Sequence, residues 1–255
     1  MKALLPFLLL VLLGSPSLGQ EQALPQLSPK MGRSLDFGPE AQQEWKKNEA
    51  MMTALNKGDK SWDDLNQEDM RLLEKFGETR SSLYEAVGEE CSWYCGGSVN
   101  QIVASSFLAD QGKNSYSPVN AHDLSFETAW VEGVAGHGIG EYLRYTFKPE
   151  TPRITEIKIA NGYVKSPAAW KANSRVKKLK VLVNNKPYAI LLLEDSMQEQ
   201  IFEVEPIGYG DRKNFLLLKR RPAHTITFEI MEVYPGSKYQ DTVISEIFFE
   251  GIDVH

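Results

Sequence analysis

The chain has 255 residues, with 28 Lys and Arg against 34 Asp and Glu, a net charge of −6, and only 2 cysteines. That balance excludes nucleic acid as a partner, because binding a phosphate backbone rests on clustered positive charge. Two Cys and 4 scattered His likewise do not complete a structural zinc site.

Residues 1–19 read MKALLPFLLLVLLGSPSLG: an early Lys, an apolar core over 3–13, a Gly-Ser-Pro break, then small residues before Gln20. The pattern predicts a secretory signal peptide cut after Gly19 and an exported chain, periplasmic or extracellular. The apolar run is too short for a comfortable membrane span, and no later stretch is as hydrophobic. Residues 20–38, rich in Gln, Pro and Ser, read as a flexible lead-in.

Residues 39–90 read as a helical extension. Ala41, Trp45, Met52 and Leu55 share one helical face, Pro39 suits the first turn, and Gly58 stops the run. A second helix starts at Asn66 as cap with Asp69 three positions on, and runs through Met70, Leu73 and Phe76 to Gly77. A third short helix is expected over 78–87. No acid, base or nucleophile stands out on these helices, so they read as a unit packed on the main domain or as a surface for a protein partner.

The cysteines follow in CSWYCGG, residues 91–97. In an exported chain Cys91 and Cys95 are the natural disulfide pair, although so small a loop gains little closure entropy. Their three-residue gap differs from the two-residue gap of thioredoxin-type sites; a redox or metal role is the competing reading. Trp93 and Tyr94, held between the sulfurs, either wedge into the core or face a ligand.

The segment 115–147, SYSPVNAHDLSFETAWVEGVAGHGIGEYLRYTF, organises the rest. Its glycines have the order G-x-x-G-x-G-x-G and open a strand, whereas a phosphate cradle needs G-x-G-x-x-G and a helix N-terminus. Asn120, Asp123, Ser125 and Thr128 crowd oxygen donors as a Ca²⁺ loop would; a plain turn satisfying its own backbone is the alternative. The strand after it alternates, with Glu141, Leu143, Tyr145 and Phe147 on one face. Further alternating runs fall at 153–160, 176–183, 189–193, 200–205, 215–218, 225–233 and 243–249, separated by Asn-Gly, Asn-Asn-Lys-Pro and Pro-Gly turns. Many short strands with no helices between them predict a mainly β fold, a two-sheet β-sandwich or jelly roll, over 91–255.

N-A-H-D-L-S-F-E-T-A-W-V-E-G before G-x-G-I-G-E, the block NGYVKSPAAWKANSRVKKLKVLVNNKPY, and the final strand T-V-I-S-E-I-F-F-E-G carry a resemblance. Together they resemble the discoidin (coagulation-factor type C) class of galactose-binding-like sandwiches. The nearer likeness is to the discoidin-like translocation domain that secreted bacterial NAD glycohydrolase toxins carry beside their catalytic domain. The resemblance implies a galactose-binding-like jelly-roll β-sandwich and a structural Ca²⁺ held by Asp123, Thr128 and Glu246 with backbone carbonyls. Here Asp123-Leu124-Ser125 stands where the class has Asp-Gly-Asp.

The resemblance also implies binding of a glycan or cell-surface ligand by loops at one end of the sandwich. A sugar ring offers an apolar face to stack on and a polar rim to bond. The candidates are Trp130, His137, Tyr163, Trp170, Asn173 and Arg175. Trp130 has a core reading beside it, and Arg175 the reading of a partner to an acid. No G-x-S-x-G elbow and no H-E-x-x-H occur. Carboxylate pairs suited to glycoside hydrolysis arise by chance among 34 acids. With the chain stopping at His255, directly after the last predicted strand, no accompanying catalytic domain is expected. The sequence therefore points to an exported, non-enzymatic binding protein. The alternative is an interaction module in which helices 39–88 dock a partner and the sandwich is scaffold; a hydrolase with two carboxylates converging in a deep cleft is a third reading.

Overall fold

The computed structural model describes residues 23–78, 80–87 and 92–254. The expected signal peptide and Cys91 lie outside them. In chain order the elements begin with β1 (Gln26–Leu27), β2 (Lys30–Ser34), α1 (Pro39–Lys57), α2 (Gln67–Phe76) and β3 (Gln101–Ala104). Then come β4 (Trp130–Val131), β5 (Tyr142–Phe147), β6 (Arg153–Asn161), α3 (Pro167–Ala172), β7 (Ser174–Val183) and β8 (Lys186–Leu192). The last are β9 (Gln198–Ile207), α4 (Phe215–Leu218), β10 (His224–Tyr234) and β11 (Thr242–Ile252).

Two antiparallel layers make the sandwich. One has the order β2-β9-β6-β11, with β4 added to the start of β11; the other has β8-β7-β10-β5-β3. They are joined at one corner, where Thr242 and Val243 pair in parallel with Ser174 and Arg175. The period-two runs turn their apolar sides inward: Ile157, Ile159, Ile247 and Phe249 from one layer pack in the same core as Leu143, Tyr145, Phe147, Ile226, Phe228 and Ile230 from the other. Tyr145 is fully buried and its hydroxyl donates to Ala121 O at 3.0 Å, so the polar tip is satisfied. Trp93 closes the core at one end, fully buried, with its indole N–H on Pro152 O at 3.0 Å. A side chain at Gly97 would collide with the Trp93 ring, which is why a glycine stands there. Cys95 is exposed, and the bond expected between it and Cys91 falls outside the described residues.

The first layer buries its other face too. Ala160, Val164 and Phe248 meet Leu35, Phe37, Leu72, Phe76 and Phe126 in a second cluster. That cluster corrects the flexible lead-in: β1 pairs with β8, β2 with β9, and Leu35 is fully buried. Gln, Pro and Ser dominate the composition there, but two apolar residues and an open sheet edge suffice to order it. Helix α2 begins as expected, with Asn66 Oδ1 accepting from Asp69 N at 3.0 Å and Asp69 accepting from Asn66 N at 3.1 Å. Its buried face, however, is Leu72 and Phe76, while Met70 is exposed. Glu44 of α1 receives Arg71 at 2.6 Å and also Lys75, tying the two helices together. Described residues 80–87 form turns and a bridge from Glu85 to Ser125 in place of the expected third helix. The run 215–218, expected as a strand, is the single helical turn α4.

Candidate ligand-binding cleft

Three loops converge where β11 begins. Helix α3 starts on Ser166, whose Oγ accepts from Ala169 N at 3.2 Å, with Pro167 in its first turn. It stops at Asn173, whose Nδ2 donates to Ala169 O at 2.8 Å and whose Oδ1 accepts nothing among the described residues. The β10–β11 loop then zips onto the end of α3. Ser237 N reaches Lys171 O at 3.0 Å and Tyr239 N reaches Ala172 O at 2.9 Å. Only glycine fits at Gly236, because a Cβ there would meet the backbone of Ala172 and Asn173.

Between these loops lies a cleft of about 360 Å³. Leu108, Val131, Ala169 and Ala172 give it apolar surface, and Tyr116, Tyr163 and Tyr239 supply three rings. Asn173 and Asp241 stand on its rim. Among the described residues none of the three phenol groups has a hydrogen-bond partner, and the Asp241 carboxylate has neither a hydrogen-bond nor an ion-pair partner. Burial, with Tyr116 and Glu127 nearby, raises the Tyr163 phenol above its ordinary value, so it stays a neutral donor. The volume lies within the range of small-molecule sites, and the mix of rings and unpaired polar groups suits a ligand with both an apolar face and hydroxyls.

Of the six candidates, Tyr163 and Asn173 line the cleft. Trp170 and Arg175 stand behind the wall. The Arg175 guanidinium lies 4.5 Å over the Trp170 ring, and Trp170 Nε1 donates to Asn161 O at 2.9 Å. Arg175 is 6 % exposed and bonds both oxygens of Asp195, at 2.8 and 2.9 Å, so its acid-pairing reading is the one that holds. Its Nη1 also donates to Asn173 O at 2.8 Å and Pro235 O at 3.4 Å, clamping the loops that shape the cleft. Trp130 is fully buried with Nε1 on Ser106 O at 2.9 Å, a core residue. His137 Nδ1 sits 3.1 Å from both Ser174 Oγ and Gln240 O and pins the glycine-rich loop to the sheet. Glu132 completes that pin from full burial, Oε1 accepting from Thr242 N at 3.2 Å and Oε2 from Val134 N at 2.9 Å. Tyr116, Tyr239 and Asp241 were missed. Each is one polar or aromatic residue in a loop, and nothing local marks it; the Pro235-Gly236 turn before Tyr239 is the nearest signal.

The expected cation ligands form a second assembly. Asp123 Oδ2 accepts from Thr128 Oγ1 at 2.6 Å and Oδ1 from Ser125 N at 3.1 Å. Leu124 has φ 61°, the left-handed region that the glycine of the class would occupy freely, and its N–H donates to Glu246 Oε1 at 3.1 Å. Glu246 is fully buried and its Oε2 has no hydrogen-bond partner among the described residues. Burial first, then the Asp123 charge, pushes its carboxyl well above the ordinary range. An orphaned buried oxygen beside a second carboxylate fits a hard cation, which takes oxygen ligands. Among the described residues no group of three or more His, Cys, Asp or Glu is placed to hold a metal, so carbonyls would have to complete the shell. Asn120 is not a donor there: its Nδ2 donates to Ser115 O at 2.7 Å and Ala129 O at 3.4 Å.

Residues 93–250 match the family model described as the NAD glycohydrolase translocation F5/8 type C domain. No curated protein matches the chain. Among solved structures, the CBM32-1 and CBM32-2 domains of Clostridium perfringens ZmpB are similar at 12 % identity and a TM-score of 0.43, over 60 % of this chain and 34 % of that one. CpGH89CBM32-5 of the same organism, in complex with GalNAc-β-1,3-galactose, is similar at 15 % identity and a TM-score of 0.40, over 59 % and 94 %. The arabinofuranosyltransferase AftD from Mycobacteria is similar at 16 % identity and a TM-score of 0.41, over 61 % and 10 %. The chain thus spans about a third of the length of the first of these.

Proposed function

The chain belongs to the NAD glycohydrolase translocation F5/8 type C domain family, and from that premise we propose that it is an exported, non-enzymatic module that holds a glycan in the cleft between Tyr116, Tyr163 and Tyr239. The observation that carries this reading is the set of unpaired polar groups around apolar walls: three phenols, Asn173 Oδ1 and the Asp241 carboxylate. A sugar ring stacks on a tyrosine while vicinal hydroxyls donate to Asp241 and accept from phenols. The rim supplies one carboxylate, where glycoside hydrolysis uses two. The test is a glycan array probed with the chain from Gln20 onward and with Tyr163→Ala. The expected result is a specific signal that falls at least about tenfold in the variant, as for loss of one stacked ring in a small site. A blank array from folded protein would reject glycan binding.

The Asp123, Thr128 and Glu246 assembly would hold Ca²⁺ as a support for the fold, neutralising the buried Glu246. At about a hundred times its dissociation constant the ion is expected to add about 2.7 kcal/mol, which raises the melting midpoint by roughly 5–10 °C in a domain of this size. Chelator reverses the rise and Glu246→Gln abolishes it. A midpoint indifferent to Ca²⁺ in the wild type would remove the ion from the account.

The second reading, a protein partner on the helices, has its own observation. Trp62 and Met70 are 54 % and 55 % exposed beside Leu65 and Leu73, in a groove on the side of α2. Apolar surface of that kind marks docking sites. Retention of a partner that Trp62→Ala loses, with a blank array, would favour it.

A further inference from the structure

We propose that a second pocket, between the β7–β8 turn, the end of β9 and the start of β10, binds a small protonated organic amine. It has a volume of about 260 Å³, and Tyr188, Glu205, Ile207, Tyr209 and His224 line it. Sites for drug-sized molecules run from roughly 300 to 1,000 Å³, so this one takes a smaller molecule.

His224 is the observation that points to a ligand. It is 2 % exposed, and both of its ring nitrogens lack a hydrogen-bond partner among the described residues. A buried polar group in that state lowers stability unless a molecule from outside the chain bonds it. The ring is also held where it is, stacked on Phe147 at 5.2 Å and edge-on to Tyr209 at 6.2 Å. Burial lowers its pKa to about 4, so at neutral pH the imidazole carries no charge and one nitrogen keeps its lone pair as an acceptor.

Charge names the ligand class. The Glu205 side chain has neither a hydrogen-bond nor an ion-pair partner among the described residues. No Lys or Arg lines the pocket, and Arg221, 4.9 Å over the Tyr209 ring, is not one of the lining residues. An anion would meet the Glu205 charge, and a neutral molecule would leave that charge uncompensated. An ammonium satisfies both acceptors, donating N–H to the imidazole lone pair and to the carboxylate, while its carbon atoms lie against the phenol rings. Those rings are fixed before a ligand arrives. The Tyr188 hydroxyl accepts from Glu205 N at 3.1 Å, and the Tyr209 hydroxyl donates to Pro222 O at 3.0 Å. A site ordered in advance loses less entropy on binding.

This pocket stands apart from the cleft. Strand β10 begins at His224 and ends at Tyr234, which pairs with Arg175 behind the cleft. Ten strand steps place the two ends about 33 Å apart. Amine binding therefore rests on residues that glycan binding does not use.

The experiment is an NMR titration of the chain from Gln20 onward with n-butylamine, an ammonium at about pH 7 as a lysine side chain is. Butan-1-ol serves as the uncharged molecule of the same shape. The signals followed are the His224 ring and the backbone amides of Gly208 and Tyr209. Saturable shifts with the amine are expected, with butan-1-ol at least about tenfold weaker, as for loss of a charged hydrogen-bonding partner. Glu205→Gln and His224→Phe are each expected to weaken the amine by about tenfold or more, read on the two amides. Glu205 is exposed and phenylalanine keeps the stack on Phe147, so both variants should remain folded at neutral pH. Tyr163→Ala should bind the amine as the wild type does, which separates this result from the glycan one. No saturable shift, equal binding of butan-1-ol, or amine binding untouched by both pocket variants overturns the proposal.

Discussion

Replacing Arg175 by methionine is expected to lower stability by about 3 kcal/mol and to abolish ligand binding in the cleft. The guanidinium is buried, forks onto both oxygens of Asp195, and donates to the carbonyls of Asn173 and Pro235. Methionine fills the volume but leaves the two carbonyls and the carboxylate without donors, and a buried acceptor stripped of its donor costs about 1–3 kcal/mol. In a domain of this size the loss lowers the melting midpoint by roughly 6–12 °C. Lysine should not rescue it, because a point charge cannot reproduce the planar fork or the stack on Trp170. Asp195→Asn should be milder, since the Asp195 side chain is 39 % exposed and water replaces part of what is lost. Urea unfolding gives the stability and array binding gives the site. A methionine variant as stable as the wild type would show that the clamp does not hold the cleft wall.

His224→Phe is expected to protect the chain against acid. His224 is 2 % exposed, stacks on Phe147 at 5.2 Å, and neither ring nitrogen has a hydrogen-bond partner among the described residues. Burial alone lowers its pKa from 6.5 to about 4. The unfolded chain therefore binds a proton between pH 6.5 and about 4 that the folded chain refuses, and stability falls as pH drops through that window. Linkage gives a loss of roughly 2–3 kcal/mol at about pH 4.5 relative to neutral. A phenylalanine cannot titrate and keeps the ring stack, so the difference in unfolding free energy between neutral pH and about pH 4.5 should shrink by that amount. If wild type and variant lose stability in parallel, His224 does not carry the acid sensitivity, and other groups must.

Much of the β architecture was legible from periodicity. Leu143, Tyr145 and Phe147 are buried on one face as their spacing demands, and Ile157 and Ile159 repeat the pattern on β6. Turn chemistry was legible too: Gly162, Asn184 and Asn185 adopt φ 84°, 50° and 63°, conformations that Gly and Asn tolerate better than other residues. The cap of α2 was readable for the same reason, since Asn66 and Asp69 each accept from the other's backbone N–H, three residues apart. The candidate site was less legible. Tyr163 and Asn173 were named and reach the cleft, but Trp170 and Arg175 turned out to support it from behind.

Tertiary contacts decided the rest. Leu35 and Phe37 become core because β2 finds the open edge of β9, a pairing across more than a hundred and sixty residues that no local composition announces. The run 215–218 is apolar enough for a strand, yet Asn214 caps a helical turn and only Leu218 finds a pocket, so three apolar side chains face outward. The cleft exists because α3 and the β10–β11 loop bond backbone to backbone, bringing Tyr239 and Asp241 beside Tyr116 and Tyr163. Period and turn signals act over a few residues, so the sequence by itself determined most of the long strands, the sandwich and the family. Loop ends meet only once the sheets have stacked, so the identity of the cleft and the exposure of α4 belonged to the tertiary structure.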